Sequence, residues 1–529
     1  MMESKELLKV NDLEVSIGEN IIKGISFSLS AKEKLGIFGE SGSGKSVTMY
    51  TIMDLLSESA DIKGQIILDG VDIRSLPENK RRHYIGSKIA MIFQDSINAL
   101  NPYEKISVQM YRTIKKHHKL SKAELEKILI NSLEELDLDA KRVLSSFPHQ
   151  LSGGMRQRVF IALTLLTEPK LIIADEPTTS LDVISQIKFI EFIKDLSERK
   201  DLPLIFISHN LGLISRLCDK ALVMSEGRII ESGDIKEIIN SPREEVTKDI
   251  VNETKKLYHA WDREKDKEAA FDNVKKEVLF SIKNLGKEYS DNIGNKKNKA
   301  IDDISIDILE GESTAIVGES GSGKSTLAMI LSGLNKESFG NIYYKGRLID
   351  GKDKEYKRQV QIVFQNPFDA FDPRFNILTS LLEPIRYYNI VPRKEEKEFI
   401  LNMLGACQIG EEVLVKKPTQ LSGGQLQRIA LARILSLKPK VLIADEIVTA
   451  LDVSVQAKVL ELLKDIQKKE KFSLIFISHD LAVVRNIAER IIVMKDGKIV
   501  EEGRTEDIYL RPGSEYTKEF LKAIPIPQS

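Results

Sequence analysis

Short runs of apolar residues recur along the chain, and several of them end at a glycine or a carboxylate. The runs in "EKLGIFG" and "ESTAIVG" lead directly into glycine-rich loops, and "KLIIAD" and "PLIFIS" are further examples. Runs that are apolar at every position are typical of parallel strands buried on both faces. In contrast, "SKAELEKILINSLEEL" places Leu125, Ile128, Leu129, Leu133 and Leu136 at helical spacing. The pattern predicts α/β domains, each with a mixed or parallel sheet core and a helical subdomain.

The same motifs occur twice in the same order. "LSGGM" starts at Leu151 and "LSGGQ" at Leu421, and the pairs "LIIADE"/"VLIADE" and "LIFISHN"/"LIFISHD" recur at the same offset along the chain. The lysines of the two glycine-rich loops are separated by a slightly larger offset. Conserved order with a local change in length indicates two homologous domains. We predict a first domain over 1–241, a charged helical linker with the tail of the first domain over 242–276, and a second domain over 277–529.

Each half contains a phosphate-binding loop of the form G-x-x-x-x-G-K-S. Its glycines let successive backbone N–H groups approach the phosphates, and the helix that follows directs its positive end at the anion. The lysine would reach the β- and γ-phosphates, and the last serine would bind Mg²⁺. The predicted loop residues are Gly39, Glu40, Ser41, Gly42, Ser43, Gly44, Lys45 and Ser46, and then Gly318, Glu319, Ser320, Gly321, Ser322, Gly323, Lys324 and Ser325.

An apolar strand in each half ends in two adjacent carboxylates. Two charged carboxylates at the end of a buried strand are costly unless a cation is near. Asp175 and Asp445 are therefore predicted to complete the Mg²⁺ shell, and Glu176 and Glu446 to polarise an attacking water.

A histidine and a glutamine also follow apolar strands in each half. His209 and His479 follow the aspartates of their halves at the same spacing, and we predict that they contact the γ-phosphate. Gln94 and Gln365 follow "MIF" and "IVF", where a glutamine can touch the metal or the attacking water. All four are predicted catalytic residues, and the two glutamines are also predicted metal ligands.

The "LSGG" motifs provide a second anion-binding helix start in each half. Because each half already has a phosphate loop, we predict that each motif serves the nucleotide of the other half, so that two ATP molecules bind between the domains. The residues are Ser152, Gly153 and Gly154 in the first half, and Ser422, Gly423, Gly424 and Gln425 in the second.

Composition narrows the class of protein. Of the 529 residues 42% are hydrophobic and the formal net charge is −1, so no global field attracts nucleic acid. The apolar stretches are too short to cross a bilayer, and no signal-peptide pattern is present. The two cysteines, Cys218 and Cys407, match no metal or redox spacing. We expect a cytoplasmic protein whose role at a membrane would need a separate spanning partner.

Taken together, these motifs resemble an ABC transporter ATPase with two fused nucleotide-binding domains. "GESGSGKS", "FQDSINALNP" and "FQNPFDAFDP" resemble the oligopeptide, dipeptide and nickel importer branch. The resemblance implies ATP and Mg²⁺ as cofactors and ATP hydrolysis that drives solute uptake, with an oligopeptide or dipeptide as the first choice of solute and nickel or a metal chelate as the second. It also implies a peripheral protein on the cytoplasmic face of the cell membrane.

The resemblance further implies the partners. These are two integral-membrane permease subunits and, through them, an extracytoplasmic solute-binding protein, with no nucleic acid. Some members of the branch carry a cysteine cluster for iron–sulfur in the tail. Neither tail of this chain has a cysteine, so no iron–sulfur cluster is expected.

The halves depart from the family pattern at several positions. Ile447 and Val448 stand where the family usually has Pro and Thr, and the first signature ends in Met155 instead of Gln. Tyr289 fits the adenine-stacking aromatic of the second half, whereas its first-half counterpart is Ile17, which cannot stack. Because all phosphate and metal groups are present in both halves, we predict two sites that are both catalytic but unequal.

A function from another class is a soluble twin-ABC ATPase that acts on the ribosome, since such proteins share the doubled motifs. Their linker is usually longer and more basic than 252–277, which holds seven acidic and seven basic residues. The balanced linker therefore favours the transport ATPase.

Overall fold

A computed structural model describes residues 6–93, 99–117, 121–179, 181–258, 276–290, 297–349, 351–449 and 451–528. The chain divides into two compact units. Unit 1 comprises Met1–Leu181, Ser185–Lys255 and Pro525–Ser529, and unit 2 comprises Asp182–Ile184 and Lys256–Ile524. The domain boundaries at 241 and 276 stay a prediction.

The first half of the sequence forms ten strands and ten α-helices within its described residues. In chain order these are β1 (Glu6–Ile17), β2 (Glu19–Ser30), β3 (Lys34–Gly39), α1 (Lys45–Ile52), β4 (Asp61–Leu68), β5 (Val71–Asp72), α2 (Glu78–Lys88), β6 (Ile89–Ile92), α3 (Ile106–His117), α4 (Lys122–Glu134), α5 (Ala140–Ser145), α6 (Gly153–Leu165), β7 (Leu171–Asp175), α7 (Val183–Arg199), β8 (Leu204–Ile207), α8 (Leu211–Leu217), β9 (Lys220–Ser225), β10 (Arg228–Asp234), α9 (Ile235–Asn240) and α10 (Glu245–Tyr258), with 3₁₀ turns at Ile73–Ser75 and Pro148–Gln150.

The second half repeats this order with fewer helices. Its elements are β11 (Val278–Ser290), β12 (Lys297–Leu309), β13 (Ser313–Val317), α11 (Lys324–Leu331), β14 (Phe339–Tyr344), β15 (Arg347–Leu348), α12 (Lys354–Gln359), β16 (Val360–Val363), α13 (Ile377–Tyr387), α14 (Glu396–Ala406), α15 (Gly423–Leu435), β17 (Val441–Asp445), α16 (Val453–Glu470), β18 (Ser473–Ser478), α17 (Leu481–Val484), β19 (Arg490–Lys495), β20 (Lys498–Arg504), α18 (Thr505–Leu510) and α19 (Glu515–Lys522), with 3₁₀ turns at Pro367–Ala370, Arg393–Glu395, Glu411–Val413 and Pro418–Gln420.

The apolar runs form a six-stranded sheet in each half, in the orders β10-β9-β3-β8-β7-β6 and β16-β17-β18-β13-β19-β20. Pairing is parallel throughout except at β10 and β20, which pair antiparallel with β9 and β19. Every residue of β7, β8, β17 and β18 is buried, as expected of strands covered on both faces. The predicted α/β fold with a mixed sheet is confirmed.

A second, antiparallel sheet lies in each half, in the orders β2-β1-β4-β5 and β12-β11-β14-β15. In unit 1 its inward side chains share one apolar core with one face of the six-stranded sheet, where Leu13 and Ile66 join Ile37, Ile173 and Met49. This core fixes α1, and therefore the end of the phosphate loop, against the sheet.

The helical subdomain of the first half contains the predicted helix. Ser121 caps α4 and exchanges hydrogen bonds with Glu124 in a capping box, which explains why the helix begins there. Leu125, Leu129 and Leu133 are buried, whereas Ile128 is 36% exposed at the edge of the apolar face.

The longer first half has a structural origin. The offset between the two loop lysines is larger than the offset between β6 and β16, and α2 has eleven residues where α12 has six. Within the predicted linker over 242–276, helix α10 extends to Tyr258. Residues 259–275 lie outside the described residues. No helix in the described ranges is long and apolar enough to cross a membrane.

Truncation of a central core residue should destabilise unit 2 strongly. Phe476 in β18 is fully buried, so Phe476→Ala should lower the free energy of unfolding by about 3–5 kcal/mol, through lost burial and the cavity that remains. Urea titration followed by circular dichroism measures this change. The control Val415→Ala, at a side chain that is 80% exposed, should shift it by about 0.5 kcal/mol or less. Equal effects of the two variants would contradict the assigned core.

Candidate functional site

The candidate site of each unit lies where its parallel strands end. In unit 1, β3 ends at Gly39, β7 ends at Asp175, and Asp175 is paired with Ile207 at the end of β8. Because carboxyl ends of parallel strands meet at one edge of a sheet, the loops that follow them converge. The same pairing in unit 2 joins Asp445 to Ile477.

Each phosphate loop wraps around its own lysine. Lys45 Nζ donates to the carbonyl oxygens of Gly39 and Glu40 at 2.9 and 2.7 Å, and Lys324 Nζ donates to those of Gly318 and Glu319 at 2.8 and 2.7 Å. Burial lowers the pKa of Lys324, and the nearby carboxylates act against this shift. Each ammonium group is thus held by two backbone carbonyl oxygens at the start of its own loop.

Glycine is required at the first loop position. Gly39 and Gly318 have φ of 149° and 156°, and a Cβ there would lie 2.0 Å from the carbonyl oxygen of Met224 and 2.2 Å from that of Met494. A side chain at either position would overlap a carbonyl oxygen of the neighbouring strand, so this close approach requires glycine there.

The loop serines are bonded to the strand-end aspartates. Ser46 Oγ lies 3.0 Å from Asp175 Oδ1, and Ser325 Oγ lies 3.2 Å from Asp445 Oδ1. Burial raises the pKa of Asp175, and it raises the pKa of Asp445 to about 6. The raised pKa means that ionising the aspartate is costly unless a cation is near. A hydroxyl and a carboxylate are oxygen ligands of the kind that a hard divalent cation takes.

In each half the predicted glutamate lies beside the predicted histidine, a pairing that the sequence did not indicate. His209 Nδ1 is 3.5 Å from Glu176 Oε2, and His479 Nδ1 is 3.3 Å from Glu446 Oε1. Burial acts to raise the pKa of each glutamate, but the hydrogen bond and charge of the histidine outweigh it and hold the pKa below its usual value. Each glutamate is therefore held as a carboxylate.

Both glutamates have left-handed backbone conformations, with φ of 44° at Glu176 and 50° at Glu446. Such φ values are uncommon outside glycine and cluster at functional positions. Each glutamate N–H donates to the carbonyl oxygen at the end of the neighbouring strand, Ile207 or Ile477, at 3.0 Å. The chain therefore turns sharply at the glutamate while its backbone stays attached to the sheet.

The structure describes only one of the two predicted glutamines. Gln365 is exposed two residues beyond β16, which pairs with β17 so that Val363 is opposite Ala444. Gln365 therefore lies in the loop beyond the same edge of the sheet at which β17 ends with Asp445. Gln94 lies outside the described residues.

The signature serines begin helices. Ser152 Oγ accepts from the N–H of Met155 at 3.4 Å, and Ser422 Oγ accepts from that of Gln425 at 3.3 Å. In the second half a second hydrogen bond completes a capping box, because Gln425 Oε1 accepts from the N–H of Ser422 at 3.1 Å. The substitution Met155 therefore removes a capping contact. The glycines of both motifs occupy the first turns of α6 and α15.

Two further departures from the family pattern concern the adenine-stacking position and the residues after the second acidic pair. Ile17 and Tyr289 lie at the ends of β1 and β11, 37% and 43% exposed, and Asn335 Nδ2 donates to the Tyr289 hydroxyl at 2.7 Å. Ile447 and Val448 are almost fully buried. The replacement of Pro and Thr therefore alters packing beneath the loop and leaves the acidic pair unchanged.

Sequence reasoning missed three side chains at these sites. Thr179 Oγ1 donates to Glu176 Oε2 at 3.1 Å, and its place three residues after the glutamate was a usable signal. Tyr50 lies beside Asp175, and burial together with that charge raises its pKa. Its spacing of four residues from Ser46 on α1 could have indicated a shared helix face. Tyr516, whose hydroxyl accepts from the N–H of Glu319 at 3.0 Å, is remote in sequence and carries no local signal.

Two units, each with a phosphate loop, a strand-end acidic pair and a histidine, define a tandem nucleoside-triphosphatase. The ABC transporter family description matches residues 22–179 and 301–449, and the chain belongs to this family. It is an ATP hydrolase coupled to transport, so the predicted family, with two fused nucleotide-binding domains, is confirmed.

Relatives match over the full length of the chain. The chain is 34% identical to the glutathione import ATP-binding protein GsiA of Shigella dysenteriae serotype 1, over all of this chain and 91% of that protein. It is 36% identical to the peptidoglycan transport ATP-binding protein YejF of Agrobacterium fabrum, over 98% of this chain and 96% of that protein. A solved dimeric structure of MJ0796, a bacterial ABC transporter cassette, is 31% identical over 43% of this chain and 99% of that one, with a TM-score of 0.40.

The close approach at Gly318 generates a test. Gly318→Ala should lower the affinity of unit 2 for a fluorescent ATP analogue by at least tenfold, because a steric shift of the loop displaces its N–H groups, and about 1.4 kcal/mol is tenfold in affinity. The matched control is Gly405→Ala in α14, where a Cβ meets no atom within 4 Å. A titration in the Lys45→Ala background isolates the second site. If both alanine variants bind equally well, the loop is not the phosphate site.

Proposed function

We propose that this protein is the energy-coupling ATPase of an ABC importer, which hydrolyses two ATP molecules to drive uptake of a short peptide. The observation that carries the proposal is the doubled hydrolytic set: in each unit a carboxylate within 3.5 Å of a histidine lies beside the phosphate loop and its serine–aspartate pair.

The chemistry follows from the position of these groups. Glu176 and Glu446, held as carboxylates by their histidines, would orient and polarise the attacking water. His209 and His479 would contact the γ-phosphate through Nε2, the ring nitrogen that does not face the glutamate. Lys45 and Lys324 would neutralise charge on the β- and γ-phosphates.

The serine–aspartate pairs, Ser46 with Asp175 and Ser325 with Asp445, would hold Mg²⁺. The ion would neutralise charge on the phosphates. In the described ranges no group of three or more His, Cys, Asp or Glu could hold a metal. The remaining oxygen ligands would therefore come from the phosphates, from water and from Gln94 and Gln365.

We further propose that each nucleotide is shared between the halves. The loop of Lys45 would be completed by Ser422, Gly423, Gly424 and Gln425, and the loop of Lys324 by Ser152, Gly153 and Gly154. Each half has both an anion-binding loop and a serine-capped helix start, so each site would then receive donors from two sides. Tyr289 would stack on the adenine of the second site only.

The surface that follows Gln365 suits a membrane permease. A cleft of about 420 Å³ there is lined by Phe364, Pro367, Ala370, Pro384, Tyr388 and Arg433. Phe368, Phe375 and Tyr387 are 43%, 49% and 61% exposed, and in unit 1 Tyr103 is 89% exposed. Phe368 and Tyr387 are next in the chain to the cleft residues Pro367 and Tyr388, and exposed apolar surface is typical of protein interaction sites.

Arg433 connects two elements of this surface. It donates to the carbonyl oxygen of Ala370 and to Glu383 Oε2 at 2.8 Å, which ties the turn at Pro367–Ala370 to α13. Two permease subunits at the cytoplasmic face of the membrane would dock here and at the equivalent surface of the first half, and would connect the ATPase to an extracytoplasmic solute-binding protein.

The relatives support import of a peptide. GsiA is named for glutathione, itself a short peptide, and YejF for peptidoglycan, which contains peptide. We therefore propose an oligopeptide or dipeptide as the solute.

Removal of both glutamate charges tests hydrolysis. Glu176→Gln combined with Glu446→Gln should lower ATP turnover by about 10²–10³-fold, the usual loss when a preorganised polar group is removed from a reacting centre. ATP binding should persist, because the phosphate loops are unchanged. Phosphate release and analogue binding measure the two quantities. The matched control replaces the exposed Glu126 and Glu470 by Gln; unaltered turnover in the first double variant would refute the assigned role.

A second test concerns coupling to the permease. Ala99→Glu and Ala370→Glu introduce charge at the proposed docking surface, and they should abolish uptake of labelled peptide in cells while the purified protein keeps its basal ATPase rate. Ala123→Glu on the exposed side of α4 is the control and should leave uptake intact. Normal uptake by the first two variants would argue against docking at this surface.

A further inference from the structure

Unit 2 begins, after Asp182–Ile184, with the last three residues of α10, Lys256 to Tyr258. Tyr258 is only 3% exposed, and its hydroxyl donates to Asp480 Oδ2 at 3.0 Å. Asp480 directly follows His479. A buried tyrosine from the segment that joins the two halves therefore contacts the residue next to a predicted catalytic group, 222 positions later in the chain.

Asp480 determines how the chain turns after His479. Its Oδ1 accepts from the N–H of Ala482 at 2.8 Å and so caps α17, and its own N–H donates to Ser478 Oγ at 2.9 Å. Burial raises the pKa of both Asp480 and Tyr258, so the tyrosine stays protonated as the donor. A shift of the Asp480 carboxylate would move the turn that carries the imidazole.

The same segment also contacts the end of α17. Arg485, which follows α17 and is 5% exposed, donates to the carbonyl oxygens of Leu257 and Lys256 at 3.0 and 3.3 Å. Lys276, where the described chain resumes, forms an ion pair with Glu489. The described linker residues on both sides of 259–275 thus contact the stretch 480–489, which contains the short helix after His479.

We propose that Tyr258 is a positioning residue for the second ATP site, which holds Asp480 so that His479 stays within hydrogen-bond reach of Glu446. The linker between the halves would then set the rate of hydrolysis in unit 2 in addition to joining two domains. This inference rests on the proposed function, since it assumes that His479 acts in hydrolysis.

The first half has a different arrangement at the equivalent place. Asn210 replaces Asp480, and its Oδ1 accepts from the N–H of Gly212 at 2.9 Å, which caps α8. Within unit 1, α8 contacts the C-terminal segment: Gln528 N–H donates to Ser215 Oγ at 3.0 Å, and a Cβ on Gly212 would lie 1.7 Å from the Pro525 carbonyl oxygen. In unit 1, the C-terminal segment contacts α8 through its backbone, whereas in unit 2 the Tyr258 hydroxyl contacts the Asp480 carboxylate. The effect of Tyr258 should therefore be specific to unit 2.

The test removes one oxygen atom from the full-length chain. In the Lys45→Ala background, which isolates the second site, Tyr258→Phe should lower kcat for ATP about 3- to 10-fold, the size expected for the net contribution of one hydrogen bond. KM and the affinity for a fluorescent ATP analogue should stay unchanged, because the phosphate loop is not touched. In the Asp480→Asn background Tyr258→Phe should cause no further loss, since the two groups act as one unit. Tyr343→Phe is the matched control, which removes a tyrosine hydroxyl elsewhere in unit 2.

The outcomes separate the two claims. A merely structural role would lower the melting temperature and the fraction of active protein, with unchanged kcat per folded molecule and additive effects in the double variant, and would overturn the inference. His479→Ala in the same Lys45→Ala background tests the underlying function: if it abolishes turnover while Tyr258→Phe does not alter kcat, the inference alone fails. If His479→Ala leaves turnover intact, the proposed role of the histidine fails. Should Tyr258→Phe not fold, Asp480→Asn alone must lower kcat at unchanged KM, and an unaltered kcat would overturn the inference.

Discussion

The in-register parallel pairing of β7 with β8 and of β3 with β8 determines where the phosphate loop and the acidic pair of unit 1 lie, and β17, β18 and β13 do the same in unit 2. A slip of one residue would move each strand's side chains to the opposite face and displace the loop at its end. Because these strands are apolar on both faces, their covering layers hold the register. The hydrophobic core thus sets the distances within the site.

The protonation of the site's carboxyl groups is set by burial and by neighbouring side chains. Asp445 has its pKa raised to about 6 by burial, while Glu446, the next residue, is kept ionised by His479. Two adjacent carboxylates therefore have opposite pKa shifts. The left-handed backbone at Glu446 aims its side chain at the histidine, whereas Asp445 is directed at Ser325. A single sharp turn thus separates the residue proposed to bind metal from the residue proposed to activate water.

The sequence predicted those features that local patterns encode. Uniformly apolar runs indicated β3, β7 and β8, and helical spacing indicated α4, because each depends on residues within one element. Side-chain partners were less accessible. Gln425 was predicted to bind nucleotide, but its side chain also closes a capping box, which depends on the geometry at Ser422. The contact between Tyr258 and Asp480 joins residues that no periodicity relates.

The differences between the halves follow a physical rule. The groups that would touch phosphate or metal are the same in both. Apart from Ile17 in place of Tyr289, the proposed adenine-stacking residue, three substitutions fall on residues at helix ends or in buried packing: Met155 for Gln425, Asn210 for Asp480, and Ile447 for Pro177. Loss of a capping contact costs about 0.5–2 kcal/mol, which is enough to shift a helix start and too little to unfold a unit. Since a difference of about 1.4 kcal/mol in activation free energy changes a rate tenfold, such substitutions can make two sites unequal while both keep the groups that hydrolysis requires.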